Sequence, residues 1–216
     1  MKKYCIFDLD GTLVYTIGDI AAALNHGLTA CGYPAMTEAA VAAIVGYSTN
    51  YMFQHAVPEG AGDDWKRVGE RYQAYYPKHC CDSSHPYEGV LKTLMRLKHA
   101  GVRLAVVSNK PHRDSLRVIE TLFPRDLFSL VLGRMEKFPT KPSPEVLRFA
   151  LDTLGASAEE SVYVGDSEVD VQFAANAGLE CLAVSWGYRT RAQLVEAGAT
   201  TILDDPTEIA AHVLDA

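Results

Sequence analysis

Short apolar runs alternate along this chain with segments of helical periodicity. Five runs predict β-strands, at residues 4–8, 102–107, 130–132, 161–164 and 179–184, and residues 201–203 form a weaker sixth. Helical patterns separate most of them, and this alternation predicts an α/β fold: a Rossmann-like parallel sheet with helices on both faces. The helix after the third run is predicted to begin with Ser143 as its N-cap and Pro144 in its first turn.

The stretch from residue 15 to residue 85 breaks this alternation. It is rich in alanine, contains no convincing strand, and has one apolar helix face formed by residues 21–24 and Leu28. Two further helices are predicted at residues 39–45 and 65–76. We therefore predict an all-helical segment inserted after the first strand.

This insertion divides the chain into two expected domains. Residues 1–14 and 86–216 form the α/β core, and residues 15–85 form a helical cap. Because the cap leaves the core just after the first strand, we expect it to close over the end of that strand.

Composition narrows the classes of function. The chain has 216 residues, of which 48% are hydrophobic, and a formal net charge of −7, which argues against nucleic acid as the main partner. No apolar run approaches the ~18 residues of a membrane span. The five cysteines are an odd number, and Cys5 and Cys181 fall in predicted buried strands, so we expect reduced thiols and a cytoplasmic protein.

The first strand ends on two acids, Asp8 and Asp10, followed by Gly11. Ending a buried strand on two like charges costs stability unless something positive neutralises them. The carboxyl end of a strand is also where open α/β sheets place ligands. This pair therefore predicts a site for a divalent cation and an anionic substrate.

Polar residues follow three later strands as well. They are the hydroxyl of Ser108, the ammonium group of Lys141, and the carboxylates of Asp166 and Asp170. Because parallel strands share one carboxyl edge, all of these side chains can converge with the first two acids.

Together these groups suit phosphoryl transfer. Asp8 and Asp166 can hold Mg²⁺, which prefers oxygen ligands. One carboxylate is left to attack phosphorus, and a second can protonate the leaving oxygen and later take a proton from water. A hydroxyl and an ammonium group suit the oxygens of the transferring phosphoryl group.

Four motifs in this order resemble those of the haloacid dehalogenase-like hydrolase superfamily. They are Asp8-Leu9-Asp10-Gly11-Thr12, Ser108-Asn109, Lys141-Pro142 with Pro144-Glu145, and Gly165-Asp166-Ser167 with Asp170. The helical insertion and the segment Trp186-Gly187-Tyr188-Arg189 are most similar to the phosphoglycolate phosphatases within it. Dehalogenases of this superfamily lack the second aspartate of the first motif, so Asp10 favours phosphoryl transfer.

The resemblance implies a role for each residue. Asp8 would be the nucleophile and Asp10 the general acid and base, while Ser108 and Lys141 would bind phosphate and complete the catalytic set. Gly11, Thr12 and Asn109 are also expected to contact the substrate. The metal ligands would be Asp8, Asp166 and the carbonyl of Asp10, supported by Asp170.

The predicted function is therefore a Mg²⁺-dependent phosphatase that acts on a small phosphorylated metabolite through an aspartyl-phosphate, in a monomer or weak homodimer. A pyrophosphatase or a sugar phosphomutase could use the same groups. Tyr15 stands where the family usually has an aspartate, which affects the hinge into the cap. Tyr47 either faces the site or packs inside the cap, and Arg189 is either a solvated loop residue or the cation for a substrate carboxylate.

Overall fold

The computed structural model describes residues 1–215, and a parallel six-stranded sheet forms its centre. The strands are β1 Tyr4–Phe7, β2 Val14–Tyr15, β3 His85–Pro86, β4 Arg103–Pro111, β5 Leu130–Arg134, β6 Ser161–Gly165, β7 Glu180–Val184 and β8 Thr201–Leu203. The six-stranded sheet has the order β5-β4-β1-β6-β7-β8, and β2 pairs with β3 in a separate antiparallel ribbon. The predicted α/β fold is thus confirmed, and all six predicted strands are present.

Within residues 1–215, ten helices surround the sheet and fill the insertion. They are α1 Ile17–Ala30, α2 Glu38–Ala42, α3 Thr49–Ala56, α4 Asp64–His79, α5 Val90–His99, α6 His112–Leu122, α7 Glu145–Leu154, α8 Glu168–Ala177, α9 Arg191–Glu196 and α10 Pro206–Asp215. Among the residues described here, no helix combines the length and apolar character needed to cross a membrane.

Both faces of the sheet are buried, as the unbroken apolar strands require. In β1, Cys5 and Phe7 join the larger hydrophobic cluster, whereas Ile6 points to the opposite face and joins a second one. The larger cluster also takes in the first helix of the insertion and α4, for example through Leu24 and Tyr76. The insertion is therefore packed on the core.

Several local expectations differ from the structure. The helix predicted at residues 39–45 is α2 Glu38–Ala42, and Tyr15 and His85, at the two ends of the predicted all-helical segment, pair in the β2–β3 ribbon. β4 continues to Pro111, four residues beyond the predicted strand, with a register shift against β5 between Val107 and Pro111. The N-cap of α7 is Pro144 rather than Ser143, whose hydroxyl is hydrogen-bonded to the Glu145 carboxylate instead. Helix α3 was not predicted, because only Met52 and Phe53 are buried in it and two residues give no periodicity.

A buried aspartate ties the two ends of the insertion together. Asp19 in α1 is 4% exposed and accepts hydrogen bonds from the amide and hydroxyl groups of Ser83 and Ser84, at 2.6–3.2 Å. Burial opposes its charge, but these hydrogen bonds outweigh burial and lower the pKa of Asp19. The contact fixes the chain where it leaves α4 and returns to the core.

We expect Asp19→Ala to lower the free energy of unfolding by about 1–3 kcal/mol at pH 7, because it leaves buried donors without an acceptor. A carboxyl group with a lowered folded-state pKa stabilises the fold above its unfolded pKa, about 3.9, and loses that effect as the pH falls below it. Urea titrations should therefore show the difference from the unmodified protein at pH 7 and its decline below pH 4. Asp152→Ala, on the exposed face of α7, is the matched control, and an equal effect of both substitutions would contradict the assignment.

Candidate active site

The candidate residues lie at the carboxyl ends of three adjacent strands. Asp8 directly follows β1, Ser108 lies near the end of β4, and Asp166 directly follows β6. Because β1 runs parallel to both neighbours and lies between them, the three side chains share one edge of the sheet. This is the edge at which α/β sheets bind ligands.

Three buried carboxylates meet at this edge. Asp8, Asp166 and Asp170 each offer an oxygen within 4.8 Å of the others. Asp166 is held by two donors: its Oδ1 accepts from the hydroxyl of Thr12 at 2.9 Å and its Oδ2 from the amide of Tyr188 at 2.8 Å. The cluster therefore joins the first and fourth sequence motifs.

Burial and nearby negative charge make Asp8 and Asp166 hard to ionise. Burial, followed by the charges of Asp170 and Asp8, raises the pKa of Asp166 to about 8, although Tyr188 and Thr12 oppose the rise. Burial likewise raises the pKa of Asp8 to about 6, against the opposing charge of Lys141. Raised carboxyl pKa values of this kind indicate that the positive groups of the protein do not fully balance the negative charge of these acids.

The donor set fits a hard divalent cation. The ligand atoms are all carboxylate oxygens, which suit Mg²⁺. Within residues 1–215, Asp8 Oδ1 is one of three buried side-chain polar atoms without a well-aligned hydrogen bond, although Lys141 Nζ lies 3.0 Å away. Asp8 and Asp166 can thus hold a cation directly.

Two glycines make room beside Asp166. Gly11 has φ +84°, and a Cβ placed there would lie 2.4 Å from Asp166 Oδ2. A Cβ at Gly187 would lie equally close to that oxygen and 2.5 Å from the Gly11 carbonyl oxygen. The Gly11 amide donates to the carbonyl of Val14 at 3.0 Å, so it closes the turn itself.

Both carboxylate oxygens of Asp170 accept hydrogen bonds from groups of the protein. Its Oδ1 accepts from Lys141 Nζ at 2.7 Å and from the hydroxyl of Tyr163 at 3.1 Å. Its Oδ2 accepts from the amide and hydroxyl of Ser167, which completes a capping box at the start of α8. Asp170 therefore supports the cluster by fixing the position of Lys141.

Lys141 lies between two of the acids. Its Nζ is 3.0 Å from Asp8 and 2.7 Å from Asp170. Burial alone would discharge the ammonium group, but these two carboxylates outweigh burial and raise the pKa of Lys141. The backbone of Lys141 is hydrogen-bonded on both sides to the amide of Asn109, so its charge is held in place.

Asp10 has different partners from Asp8. Its carboxylate accepts from the hydroxyl of Thr16 at 2.7 Å and from Lys110 Nζ at 3.0 and 3.1 Å. The hydroxyl of Thr16 also contacts that of Tyr188 at 2.8 Å. Thus the hydroxyl residue after Tyr15 touches Asp10 directly, while Tyr15 itself donates to Glu38 and stacks on His85 in the β2–β3 ribbon.

A cavity of about 50 Å³ lies between the sheet edge and the insertion. Its core side includes Asp8, Asp10, Ser108 and Asn109, and its other side includes residues of α1, α3 and α4 and of the loop before α3. Tyr47 lines this cavity and also packs on Tyr51, with ring centroids 4.6 Å apart. Tyr47 therefore both faces the site and packs against a residue of the insertion, so both alternatives considered for it are observed.

Arg189 is not a solvated loop residue. It is 6% exposed, and its guanidinium forms an ion pair with Glu168 at 2.8 Å. The same group donates to the carbonyls of Ala42 and Val45 in the insertion, at 2.8 and 2.9 Å. The loop position gave no hint of this burial, because the two carbonyls that it meets in the insertion lie more than 140 residues away in sequence.

Sequence reasoning missed Lys110 and Tyr76. Lys110 directly follows Ser108-Asn109, and that position at a strand end was a usable signal. Tyr76 gave none, because its hydroxyl meets Lys110 Nζ, at 2.6 Å, only after α4 packs on the core.

Comparisons with known proteins agree on one family. Residues 5–184 match the family model described as Haloacid dehalogenase-like hydrolase. Phosphoglycolate phosphatase of Pseudomonas syringae pv. syringae is 32% identical over 222 residues, covering all of this chain and 81% of the relative. Phosphoglycolate phosphatase of Rhodospirillum rubrum is 34% identical over 213 residues, covering 95% of this chain and 88% of the relative.

Solved structures are also similar to this chain over nearly its whole length. A crystal structure from Lactobacillus delbrueckii subsp. bulgaricus has a TM-score of 0.93 and 31% identity and covers 99% of each chain. A predicted phosphoglycolate phosphatase from Haemophilus somnus 129pt has a TM-score of 0.91 at 29% identity, covering 98% of this chain and 97% of that one.

We expect Mg²⁺ to raise the melting temperature by about 5–10 °C at a hundredfold excess over its dissociation constant. The rise should grow as the pH increases from 6 to 8, because protons on Asp8 and Asp166 compete with the cation below their raised pKa values. Asp166→Asn should remove most of the rise, and Asp152→Asn should leave it. Thermal scans in which Mg²⁺ has no effect on the unmodified protein would contradict the cation site.

We expect Arg189→Met to speed amide hydrogen exchange in residues 42–48 by about tenfold or more. The substitution removes two hydrogen bonds from a charged donor, each worth about 1.5–3 kcal/mol. Exchange measured by mass spectrometry should change little in β1 and β6. Arg191→Met is the control, because Arg191 makes only an exposed ion pair with Asp204; protection that is the same in both variants would argue against a role of Arg189 in holding the loop.

Proposed function

The chain belongs to the haloacid dehalogenase-like hydrolase family and is a phosphatase, and from this premise we propose that it hydrolyses 2-phosphoglycolate or a closely similar small ester. The curated relatives at 32–34% identity carry the name phosphoglycolate phosphatase. The single observation that supports the chemistry best is the position of Asp8, which lies buried between Lys141 and the other acids of the cluster.

Asp8 is the nucleophile in this proposal. Its carboxylate oxygen forms a bond to phosphorus as the ester P–O bond breaks, which leaves a phosphoryl group on Asp8. Lys141 offsets the charge of the phosphoryl oxygens and Ser108 donates a hydrogen bond to them, and an ammonium group kept charged by its surroundings is suited to the first task. Asn109 acts by fixing the backbone of Lys141, while Gly11 and Thr12 shape the turn and orient Asp166.

Asp10 is the general acid and the general base in this proposal. It gives a proton to the leaving alkoxide as the ester bond breaks, and it then takes a proton from the water that attacks phosphorus. The second step releases inorganic phosphate and restores Asp8. The position of Asp10 supports this division of roles, because its carboxylate lines the same cavity as Asp8 but is not part of the cluster of Asp8, Asp166 and Asp170.

Mg²⁺ would be held by Asp8 and Asp166, with the Asp10 carbonyl expected from the family pattern. When bound, it would offset the charge of the phosphate beside the acids and orient the phosphoryl group. Asp170 serves this site through Lys141.

We further propose that residues 15–85 act as a cap that excludes water from the reaction. The support is the cavity itself, because it has walls from both the core and the insertion. A cytoplasmic setting agrees with five cysteines that are all free thiols.

Phosphate release from 2-phosphoglycolate in the presence of Mg²⁺ tests the proposal. Asp8→Asn should abolish turnover, and Asp10→Asn should lower kcat by roughly 10²–10⁴-fold, the usual contribution of a general acid or base. In ¹⁸O-labelled water, one labelled oxygen should enter each inorganic phosphate. Asp152→Asn is the control for loss of a carboxylate elsewhere, and turnover that survives Asp8→Asn would exclude Asp8 as the nucleophile.

A further inference from the structure

One lysine lies in the cavity wall outside the phosphate-binding groups. Among the cavity-lining residues that the structure describes, Lys110 is the only one with a basic side chain. Lys141, which contacts Asp8 and Asp170, is already assigned to the phosphoryl group in the proposed mechanism. The guanidinium of Arg189 is committed to Glu168 and to two backbone carbonyls. Any second anionic group of a substrate in this cavity therefore has Lys110 as its cation.

Lys110 is buried and charged. Its side chain is 3% exposed, and its Nζ donates to both oxygens of Asp10 and to the hydroxyl of Tyr76. Burial opposes the charge, but the nearby Asp10 outweighs burial and raises the pKa of Lys110. This paired charge thus lies at the cavity wall, where it attracts any anionic group bound in the cavity.

Tyr76 adds a second donor at the same place. Its oxygen accepts from Lys110, so its own hydroxyl hydrogen is left to donate. Burial raises the pKa of Tyr76 well above its usual value, which keeps the phenol protonated. A carboxylate beside Lys110 would therefore meet an ammonium group and a hydroxyl donor together.

The far wall of the cavity is also favourable to an anion. Ser48 and Thr49 line it, and they are the N-cap and first residue of α3. The amide end of a helix carries a partial positive charge. Asp8 lies in the same cavity, so an anionic group near Lys110 and a phosphoryl group at Asp8 can belong to one small molecule.

We propose that Lys110 and Tyr76 bind the carboxylate of the substrate and so select phosphate esters of short hydroxy acids over uncharged phosphate esters. The inference rests on the proposed function and deepens it. A cavity of about 50 Å³ has room for roughly three to five waters, which matches a two- or three-carbon acid. An ester with an uncharged tail leaves the Tyr76 hydroxyl without this acceptor and the Lys110 charge without this second anion, and that mismatch is a source of discrimination.

Binding of two phosphonates that cannot be hydrolysed tests this directly. Calorimetry in Mg²⁺ compares 3-phosphonopropionate, which carries a carboxylate, with propylphosphonate, which has the same chain length and no carboxylate. The unmodified protein should prefer the carboxylated ligand by about tenfold or more, the usual size of a hydrogen bond to a charged group. Lys110→Met should reduce that preference to within about threefold.

Three further variants separate the alternatives. Lys92→Met, on the exposed face of α5, should leave the preference unchanged, and Lys110→Arg should retain part of it. Tyr76→Phe keeps the charge at Lys110 and should weaken the carboxylated ligand alone, so it serves if Lys110→Met fails to fold. A preference that persists in both Lys110→Met and Tyr76→Phe, or equal binding of the two ligands by the unmodified protein, would overturn the inference.

Measurements of turnover test the proposed function separately from the binding experiment. The ratio of kcat/KM for 2-phosphoglycolate to that for 2-hydroxyethyl phosphate should fall about tenfold in Lys110→Met, because both esters share the dependence on Asp10 and only one carries the carboxylate. Equal losses for both esters would mean that Lys110 acts only through Asp10. An unmodified protein that binds the carboxylated phosphonate yet hydrolyses neither ester would contradict the proposed function and not the assignment of Lys110.

Discussion

The ion pairs of Lys141 are the constraint on which the rest of this structure depends. Buried carboxylates repel one another, and each loses hydration when it is removed from water. The ammonium group of Lys141 offsets both costs between Asp8 and Asp170, and Asn109 fixes the backbone that carries it. Asp170 also completes the capping box of α8. Lys141 therefore links the end of β1, through Asp8, to β4, through Asn109, and to α8, through Asp170.

A second lysine–aspartate pair lies on the cavity side of the same turn. Asp8 and Asp10 are separated by one residue, yet Asp8 faces Lys141 and Asp10 faces Lys110. This separation gives two carboxylates of one motif different surroundings, which is how a protein assigns different chemistry to identical side chains. One pair lies on the phosphoryl side of the site, and the other lies where the leaving group and its tail would be.

Polar contacts from the core hold the insertion over this site. Asn109 donates to the carbonyl of Gly46, Arg189 donates to two carbonyls just before it, and Lys110 donates to Tyr76. The three donor side chains are buried, so these contacts fix the position of the insertion over the cavity. The apolar face of the insertion was visible in the sequence as a helical period, but none of its polar contacts with the core was visible.

Local pattern determined most of the architecture: apolar runs specified the six sheet strands, and the turn at Gly11 with its two acids specified where the site would be, because strand ends in a parallel sheet share one edge. The tertiary structure alone decided which charges meet. The tertiary structure gives Asp8 and Asp10 different lysine partners, buries Arg189 and pairs Lys110 with Tyr76. Each of these outcomes depends on contacts across 34 residues or more. Hydrophobic periodicity indicates which face of a helix or strand is buried. Which polar side chains become partners depends on how the helices and strands pack together, and no single segment of the sequence encodes that packing.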